Sequence, residues 1–288
     1  MIQDIWPHQL DITYHHRQLA KNSLVICFDT NRVLVAGTTE VEAGAEGTPG
    51  IELRFPRCSE LLLTDQQATY LFSIDDDDYF LIDPAHIKDN PGFILMETSM
   101  LRTMQPQHLV FAGLTAQHLH NWYDLNRICG RCGSEMQHDQ VERMMFCEHC
   151  QNTVYPRIAP AVIVGVYHAD ELLLTRYAGR VQGRFALIAG FTEIGETAEE
   201  TVHREVMEEV GLKVKNLQYY KSQPWGISGS LLMGFYAELD GDGEVNLDTN
   251  ELSEAVWMHR DDIEVTYDNF SLTNEMIYTF KNGEAPYS

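Results

Sequence analysis

Two Cys-x-x-Cys pairs near the middle of the chain restrict its fold more than any other sequence feature. They read CGRC at 129–132 and CEHC at 147–150, and fourteen residues separate them. Each pair can place two thiolates on a tight turn, and four thiolates complete the tetrahedral shell of one Zn²⁺ ion at about 2.3 Å. Disulfides are the alternative, and a reducing cytosol disfavours them. We predict a zinc ribbon whose structural ion is held by Cys129, Cys132, Cys147 and Cys150.

Charge and apolar content limit the class of protein. The 288 residues are 44% hydrophobic and include 43 acidic against 20 basic side chains, a formal net charge of −23. Such a charge repels nucleic-acid backbones and anionic membranes over long distances. The sequence has no apolar stretch of about 18 residues, and its first residues lack a basic segment followed by an apolar run. We therefore expect a cytoplasmic protein with no membrane contact.

The ribbon divides the sequence into three predicted domains. Residues 1–124 contain short β-type runs broken by Gly, Pro and Asp, followed by a helical pattern, which indicates a small α/β or mainly β domain. Residues 125–156 form the ribbon, and residues 157–288 begin with two apolar strands. Four consecutive aspartates at 75–78 are expected to form an exposed hairpin turn rather than a metal site, because their side chains point in alternating directions.

The third domain contains an acidic segment, GFTEIGETAEETVHREVMEEVGL, at 190–212. Thr197 and Glu200 have the spacing of a capping box and Gly211 is a good helix terminator, so a helix of about fourteen residues is predicted. Alanine and valine recur every fourth residue and supply its buried stripe.

Three glutamates of this helix, Glu205, Glu208 and Glu209, have i, i+3, i+4 spacing, which places their carboxylates on one face. Like charges this close repel each other, and a divalent cation would remove the repulsion. A solvated acidic helix face is the alternative, since glutamate is a good helix former. The spacing alone leaves both interpretations open.

The complete pattern is more specific than the helix. Gly190 is followed after five residues by Glu196 and, after seven more, by REVMEEVGL at 204–212. This pattern resembles the Nudix box, the signature of hydrolases that cleave a nucleoside diphosphate linked to another moiety. The resemblance implies a Nudix α/β/α sandwich at 157–288 that holds Mg²⁺ or Mn²⁺ and cleaves a pyrophosphate.

The same resemblance implies a role for individual residues. Glu205 and Glu209 would be metal ligands, together with the backbone carbonyl of Ala189, and Glu208 would be a ligand or the base that activates water. A glutamate outside the box would complete the site, with Glu251 the first candidate and Glu254 the second. The resulting catalytic candidates are Glu208, Glu209 and Arg204.

Two box residues are expected to support the others. Arg204 would orient the box through a salt bridge, whereas an ordinary i, i+4 pair with Glu200 is the alternative. Glu196 would anchor the loop that precedes the helix.

A zinc ribbon before a Nudix domain, together with an N-terminal domain and SQPW at 222–225, resembles the NADH pyrophosphatases. This resemblance implies hydrolysis of NAD(H) to AMP and nicotinamide mononucleotide, a homodimer and a smaller Nudix-like α/β domain at the N-terminus. Removal of the NAD cap from RNA breaks the same bond and is an open alternative. In that family SQPW continues as Pro-Phe-Pro, whereas this chain has Gly-Ile-Ser at 226–228, which predicts a more flexible turn.

Several residues match substrate-binding positions of that family. Phe191 and Trp225 match aromatic rings that stack on a base, and Tyr155 matches one delivered from the ribbon side. Core packing is the alternative for these aromatic residues. The complete set of substrate-binding candidates is Tyr155, Phe191, Gln223, Trp225, Ser230 and Glu142.

Two other functional classes stay open. The ribbon could bind nucleic acid through Arg127, Arg131, Arg143 and Arg157, although acidic residues dilute this set and no aromatic series accompanies it. The third domain could sense a nucleotide without cleaving it, although every carboxylate of the box is present. ADP-ribose and diadenosine polyphosphates are further candidate substrates.

Overall fold

The computed structural model describes residues 1–36, 51–64, 67–88, 92–179 and 185–286. The helices are α1 (Gln107–Leu125), α2 (Ala198–Val210) and α3 (Leu272–Lys281). The strands before the ribbon are β1 (Leu10–Asp11), β2 (Leu24–Ile26), β3 (Phe28–Asp29), β4 (Arg32–Ala36), β5 (Ile51–Glu52), β6 (Thr69–Ile74), β7 (Asp77–Leu81), β8 (Phe93–Glu97) and β9 (Met104–Gln105). The remaining strands are β10 (Gln137–His138), β11 (Met145–Phe146), β12 (Thr153–Val154), β13 (Ala159–His168), β14 (Glu171–Tyr177), β15 (Ile188–Phe191), β16 (Val214–Trp225), β17 (Ser230–Leu239) and β18 (Leu252–His259).

The chain forms two compact units. The N-terminal unit contains residues 2–157 together with Gly226–Ser228, and the C-terminal unit contains Met1, Ile158–Trp225 and Gly229–Ser288. The ribbon therefore belongs to the same compact unit as the segment that precedes it.

The N-terminal unit combines small sheets with one long helix. Its strands pair in the orders β1-β6-β7-β2, β3-β4-β8 and β5-β9. Of the four aspartates predicted to form a hairpin turn, Asp75 and Asp76 make the turn between β6 and β7, whereas Asp77 and Asp78 begin β7 and are half-buried. The prediction is therefore confirmed for the first two. The sequence pattern that predicted a helix becomes the buried helix α1.

The ribbon is a three-stranded antiparallel sheet in the order β10-β11-β12. Its short strands pair Gln137 with Phe146 and Met145 with Val154. Because each strand has only two residues, the sheet provides few hydrogen bonds. A sheet this small is not stable alone, so we expect the cysteine turns at its end to stabilise the ribbon.

The C-terminal unit is built on a sheet in the order β16-β17-β13-β14-β18, and β15 pairs with β13 beyond this path. Along β13 the side chains alternate between two cores. Val162 and Val164 pack with the apolar stripe of α2, whereas Ile163 packs with α3. The two helices therefore cover opposite faces of the sheet, and the mixed α/β sandwich predicted for this region is confirmed.

The predicted helix of the acidic segment is confirmed as α2. Thr197 accepts a hydrogen bond from the Glu200 amide, and Glu200 completes the capping box. Gly211 ends the helix in the left-handed conformation at φ 70°. Local sequence signals therefore set both ends of the helix.

No helix in the described ranges is long and apolar enough to cross a membrane.

Candidate metal and active site

The four predicted zinc ligands come together at one end of the ribbon. The sulfur of Cys129 lies 3.6 Å from that of Cys150, and the sulfur of Cys132 lies 3.5 Å from that of Cys147. All four sulfurs lie within 4.8 Å of one another. Sulfurs around a tetrahedral Zn²⁺ ion at about 2.3 Å are separated by about 3.8 Å, so this cluster fits the ion.

Backbone amides surround these sulfurs in the way that thiolates require. Amides of Arg131 and Ser134 point at Cys129 and Cys132, and the Ser134 amide is the largest cause that lowers the pKa of the Cys132 thiol to about 5. The Asn152 side chain also donates to Cys129 across 3.7 Å. These amides favour thiolates at Cys129 and Cys132, whereas burial raises the pKa of the Cys150 thiol, so a cation is needed to hold all four sulfurs deprotonated.

The glutamates of α2 are not equivalent, although their spacing suggested one shared face. Glu205 and Glu209 are buried, at 8% and 2% exposure, whereas the side chain of Glu208 is 62% exposed. Neither carboxylate oxygen of Glu209 has a hydrogen-bond partner of normal geometry among the described residues. The backbone amide of Ala189 lowers the pKa of Glu209 but does not offset its burial. A carboxylate buried in this way is stabilised by a proton or a cation, so Glu209 fits a divalent metal site.

Gly190 makes room for the Glu205 carboxylate. Gly190 lies in β15, opposite Val162 of β13. A Cβ atom at position 190 would lie 1.9 Å from Cδ of Glu205 and 2.1 Å or less from both of its oxygens. The first glycine of the box is therefore required because a carboxylate occupies the space of its side chain.

Burial and mutual repulsion raise the pKa values of the two buried glutamates. Burial is the larger cause for Glu209, the charge of Glu205 is the next, and together they raise its pKa to about 8. Burial also raises the pKa of Glu205, and the guanidinium of Arg204 opposes this shift. Glu209 therefore holds its proton near neutral pH until a cation replaces it.

Arg204 connects the parts of the box. Its Nε donates to Glu196 across 2.6 Å, and one terminal nitrogen lies 2.6 Å from Glu205 and 3.1 Å from Glu208. Its other terminal nitrogen donates to the carbonyl of Phe191 across 2.8 Å. The guanidinium holds the pKa of Glu196 down at about 2. Glu200, the alternative partner, serves the helix cap instead.

The structure separates the two outside candidates. Glu251 is close enough to raise the pKa values of Glu205 and Glu209. Glu254 instead forms an ion pair with Arg176, at 3.0 Å. Asp248, which sequence reasoning missed, also raises the pKa of Glu209, and its backbone amide donates to the Glu209 carbonyl. It lies in a segment without regular structure, so no periodicity could indicate it.

The carboxylates around α2 are more widely spread than the cysteine sulfurs. Among the described residues, only the four cysteines place three or more ligand atoms within 4.8 Å of one another. Arg204 forms ion pairs with the carboxylates of both Glu205 and Glu208, which contributes to the separation of the carboxylates.

Two predicted substrate residues of the C-terminal unit present aromatic rings. Phe191 follows Gly190 directly and is 54% exposed. Trp225 meets Phe270 edge to face, with ring centres 5.5 Å apart and planes at 81°. Ala189, the predicted carbonyl ligand, precedes Gly190 in β15 and pairs with Ile163.

The other two candidates of this unit are buried. The Gln223 amide donates to the carbonyl of Phe270 across 2.9 Å and accepts from the amide of Leu272 across 2.8 Å. Gln223 is thus placed to hold the Phe270 segment rather than to present a free amide. Ser230 is 2% exposed and pairs with Trp225 at the end of the β16–β17 ladder.

The remaining substrate candidates, Tyr155 and Glu142, lie in the N-terminal unit and contact each other. The Tyr155 hydroxyl donates to the Glu142 carboxylate across 2.6 Å, and the Tyr155 ring is 53% exposed. The ribbon fold brings these two residues together, and their spacing in the sequence does not predict the contact.

Family models match two parts of the chain. The model of the NADH pyrophosphatase zinc ribbon domain matches residues 124–155, and that of the NUDIX domain matches residues 157–278. The boundary between the two matches lies close to the predicted one at 156.

Curated relatives share nearly half of their aligned residues with this chain. Proteins called "NAD-capped RNA hydrolase NudC" from Salmonella paratyphi C, Citrobacter koseri and Escherichia coli SMS-3-5 are each 46% identical to it over 145 residues. The alignments cover 50% of this chain and 56% of each relative. The chain thus spans just over half the length of the curated relatives that it matches.

Solved structures are more distant. A NUDIX hydrolase from Nitrosomonas europaea has a TM-score of 0.46 at 20% identity, over 54% of this chain and 91% of its own. The NUDIX domain of Shewanella oneidensis NrtR, complexed with ADP ribose, has a TM-score of 0.37 at 14% identity, over 46% and 91% of the two chains.

Proposed function

Because the chain belongs to the Nudix family and carries the zinc ribbon of NADH pyrophosphatases, we propose that it hydrolyses the pyrophosphate bond of NAD(H) to AMP and nicotinamide mononucleotide. The observation that carries the hydrolytic part is the buried Glu209 carboxylate, whose two oxygens have no partner of normal geometry among the described residues. The ribbon next to the NUDIX match supports the choice of substrate.

The metal proposed here is Mg²⁺ or Mn²⁺, because hard cations prefer carboxylate and carbonyl oxygens. Glu205, Glu209 and Glu251, with the Ala189 carbonyl, are the proposed ligands, and the charge of Asp248 adds to the negative potential at Glu209. A divalent cation held by these residues would polarise phosphoryl oxygens and lower the pKa of an attacking water. A zinc ion in the ribbon would have only a structural role, because the four cysteine thiolates would fill its coordination shell.

The protein's own residues would orient the reaction. Glu208 is exposed and restrained by Arg204 at 3.1 Å, so it can accept a proton from water at the edge of the site. Arg204 also fixes Glu205 and the Phe191 carbonyl, which keeps the loop and the helix of the box in register. We assign Glu208 and Glu209 to catalysis and Arg204 to positioning.

The proposed substrate contacts are made by aromatic rings, which buried polar residues support. Phe191 and Trp225 are proposed to stack on the bases. Tyr155 and Glu142, which contact each other in the N-terminal unit, stay predicted substrate residues. Ser230 and Gln223 are proposed to hold Trp225 in place, since both are buried near it in the β16–β17 hairpin. A homodimer and a cytoplasmic location remain predictions from the sequence.

The direct test is product analysis with a panel of NADH, NAD⁺, ADP-ribose and a diadenosine polyphosphate in the presence of Mg²⁺ or Mn²⁺. We expect AMP and nicotinamide mononucleotide as products and the highest kcat/KM for NADH or NAD⁺. A tenfold preference for another member of the panel would contradict the substrate assignment. Absence of turnover with every member, in protein that binds the nucleotides, would favour the sensor alternative.

Glu209→Gln is the matched control for this test. The substitution removes one charge while preserving the shape of the side chain, and we expect kcat to fall by about 10²-fold or more. Activity within threefold of the unmodified protein would refute the assignment of Glu209.

A second candidate substrate is NAD-capped RNA, which the names of the relatives at 46% identity favour. The net charge of −23 opposes the approach of an RNA chain. Cleavage of a capped RNA and of NADH should therefore be compared at two salt concentrations. If RNA is a substrate limited by this repulsion, salt should raise its kcat/KM relative to that of NADH.

A further inference from the structure

The turn that joins β16 to β17 departs from the family pattern at Gly226, and the structure gives this glycine a steric role. A Cβ atom at position 226 would lie 2.2 Å from the carbonyl oxygen of Leu114 and 2.8 Å from its carbonyl carbon. Both obstructing atoms belong to the backbone of α1, within the N-terminal unit. A helical backbone cannot turn aside as the end of a side chain can, so only glycine fits this position.

The sequence predicted a flexible turn from Gly-Ile-Ser, but close packing is a different reason for the glycine. Ile227, the next residue, is 39% exposed, so the close contact is specific to Gly226 within the turn. Gly226 therefore marks a point at which the turn is held against a rigid element.

The residue bonded to Gly226 is Trp225, which closes the β16–β17 ladder opposite Ser230. The Trp225 ring packs edge to face on Phe270. The carbonyl of Phe270 accepts a hydrogen bond from the Gln223 amide across 2.9 Å. Because Gly226 is bonded to Trp225, a displaced Gly226 would also displace the Trp225 backbone. The Trp225 ring is thus constrained from two directions.

We infer that Gly226 is a positioning residue for nucleotide binding, and that its contact with the Leu114 carbonyl sets the orientation of the Trp225 ring. This inference rests on the proposed function only in taking Trp225 as a surface on which a base stacks. Gly226 itself touches no substrate and acts through its neighbour.

The test is a double-mutant cycle between Gly226→Ala and Trp225→Ala, with Ile227→Ala as the control in the same turn. Binding of AMP and of nicotinamide mononucleotide is measured by calorimetry, which requires no turnover. We expect Trp225→Ala to weaken binding of one of them by about tenfold, the loss expected for one base–aromatic stack. Gly226→Ala should weaken binding of the same nucleotide by roughly threefold or more, and Ile227→Ala by less than about twofold.

The decisive result is the double mutant. Because Gly226 acts through the ring, Gly226→Ala should have no further effect on binding once Trp225 is alanine. Equal effects in both backgrounds would show a merely structural role and overturn the inference, as would an unchanged affinity in Gly226→Ala.

A second variant covers the case in which Gly226→Ala does not fold. Insertion of one glycine after Gly226 loosens the turn without adding a side chain, and it should weaken binding in the same ring-dependent way. Unchanged affinity in this variant overturns the inference. Failure of NADH cleavage in a protein that gives the expected cycle would overturn the proposed function alone. Absence of binding of both nucleotides to the unmodified protein would overturn the inference.

Discussion

Lowering the pH should weaken the binding of a divalent cation to the Nudix site, because the cation must displace a proton from Glu209. Burial and the neighbouring Glu205 raise the pKa of this carboxyl to about 8. With that value, roughly one molecule in eleven has an ionised Glu209 at pH 7 and roughly one in a hundred at pH 6. Since the cation binds the ionised form, its apparent Kd should rise about tenfold between pH 7 and pH 6.

Calorimetric titration with Mn²⁺ measures this dependence directly. Repeating the titration in buffers with different ionisation enthalpies should reveal the release of close to one proton at pH 7, and the affinity should level off above about pH 8. Glu209→Gln has no proton to release and should lose most of the dependence. An apparent Kd that changes less than twofold between pH 6 and pH 7 would refute this account of Glu209.

The same pKa shift predicts how the metal-free fold responds to pH. The folded pKa of Glu209 lies above its ordinary value of 4.5, so its contribution to stability is complete below about pH 4.5 and is lost as the pH rises toward 8. Relative to Glu209→Gln, the metal-free protein should therefore lose thermal stability between these values, and saturating Mn²⁺ should restore it. A stability difference that does not vary with pH would contradict this prediction.

Two further substitutions test the contacts of the two metal sites. Gly190→Ala should lower kcat/KM by about 10²-fold because its Cβ would lie 1.9 Å from Cδ of Glu205, whereas Gly130→Ala, which meets no atom within 4 Å, should be nearly silent. Steady-state kinetics would contradict this account if both variants behaved alike. Cys147→Ser should lose zinc, measured by metal analysis, and lower the melting temperature, whereas Cys58→Ser should retain the ion. Full zinc content in Cys147→Ser would contradict the ribbon assignment.

The elements that sequence reasoning predicted well are those set by local signals. The ends of α2 follow from Thr197, Glu200 and Gly211, which act within one turn of the helix. The cysteine cluster follows from spacing, because two tight turns bring four sulfurs together whatever surrounds them.

The features that could not be predicted depend on contacts distant in sequence. Helical spacing placed Glu205, Glu208 and Glu209 on one face, but packing of α2 against β15 buries only Glu205 and Glu209. The close approach of Gly226 to the Leu114 carbonyl involves residues more than a hundred positions apart. Burial of this kind is set by tertiary packing, which periodicity does not encode.

Hydrolysis of NADH in ¹⁸O-labelled water tests the central claim most directly. Mass spectrometry of the products should show AMP and reduced nicotinamide mononucleotide, with one ¹⁸O atom in the phosphate of one of them, because water attacks phosphorus. Release of nicotinamide with ADP-ribose, or incorporation of the label into a ribose, would show that a different bond is broken and would contradict pyrophosphate hydrolysis at the Nudix box.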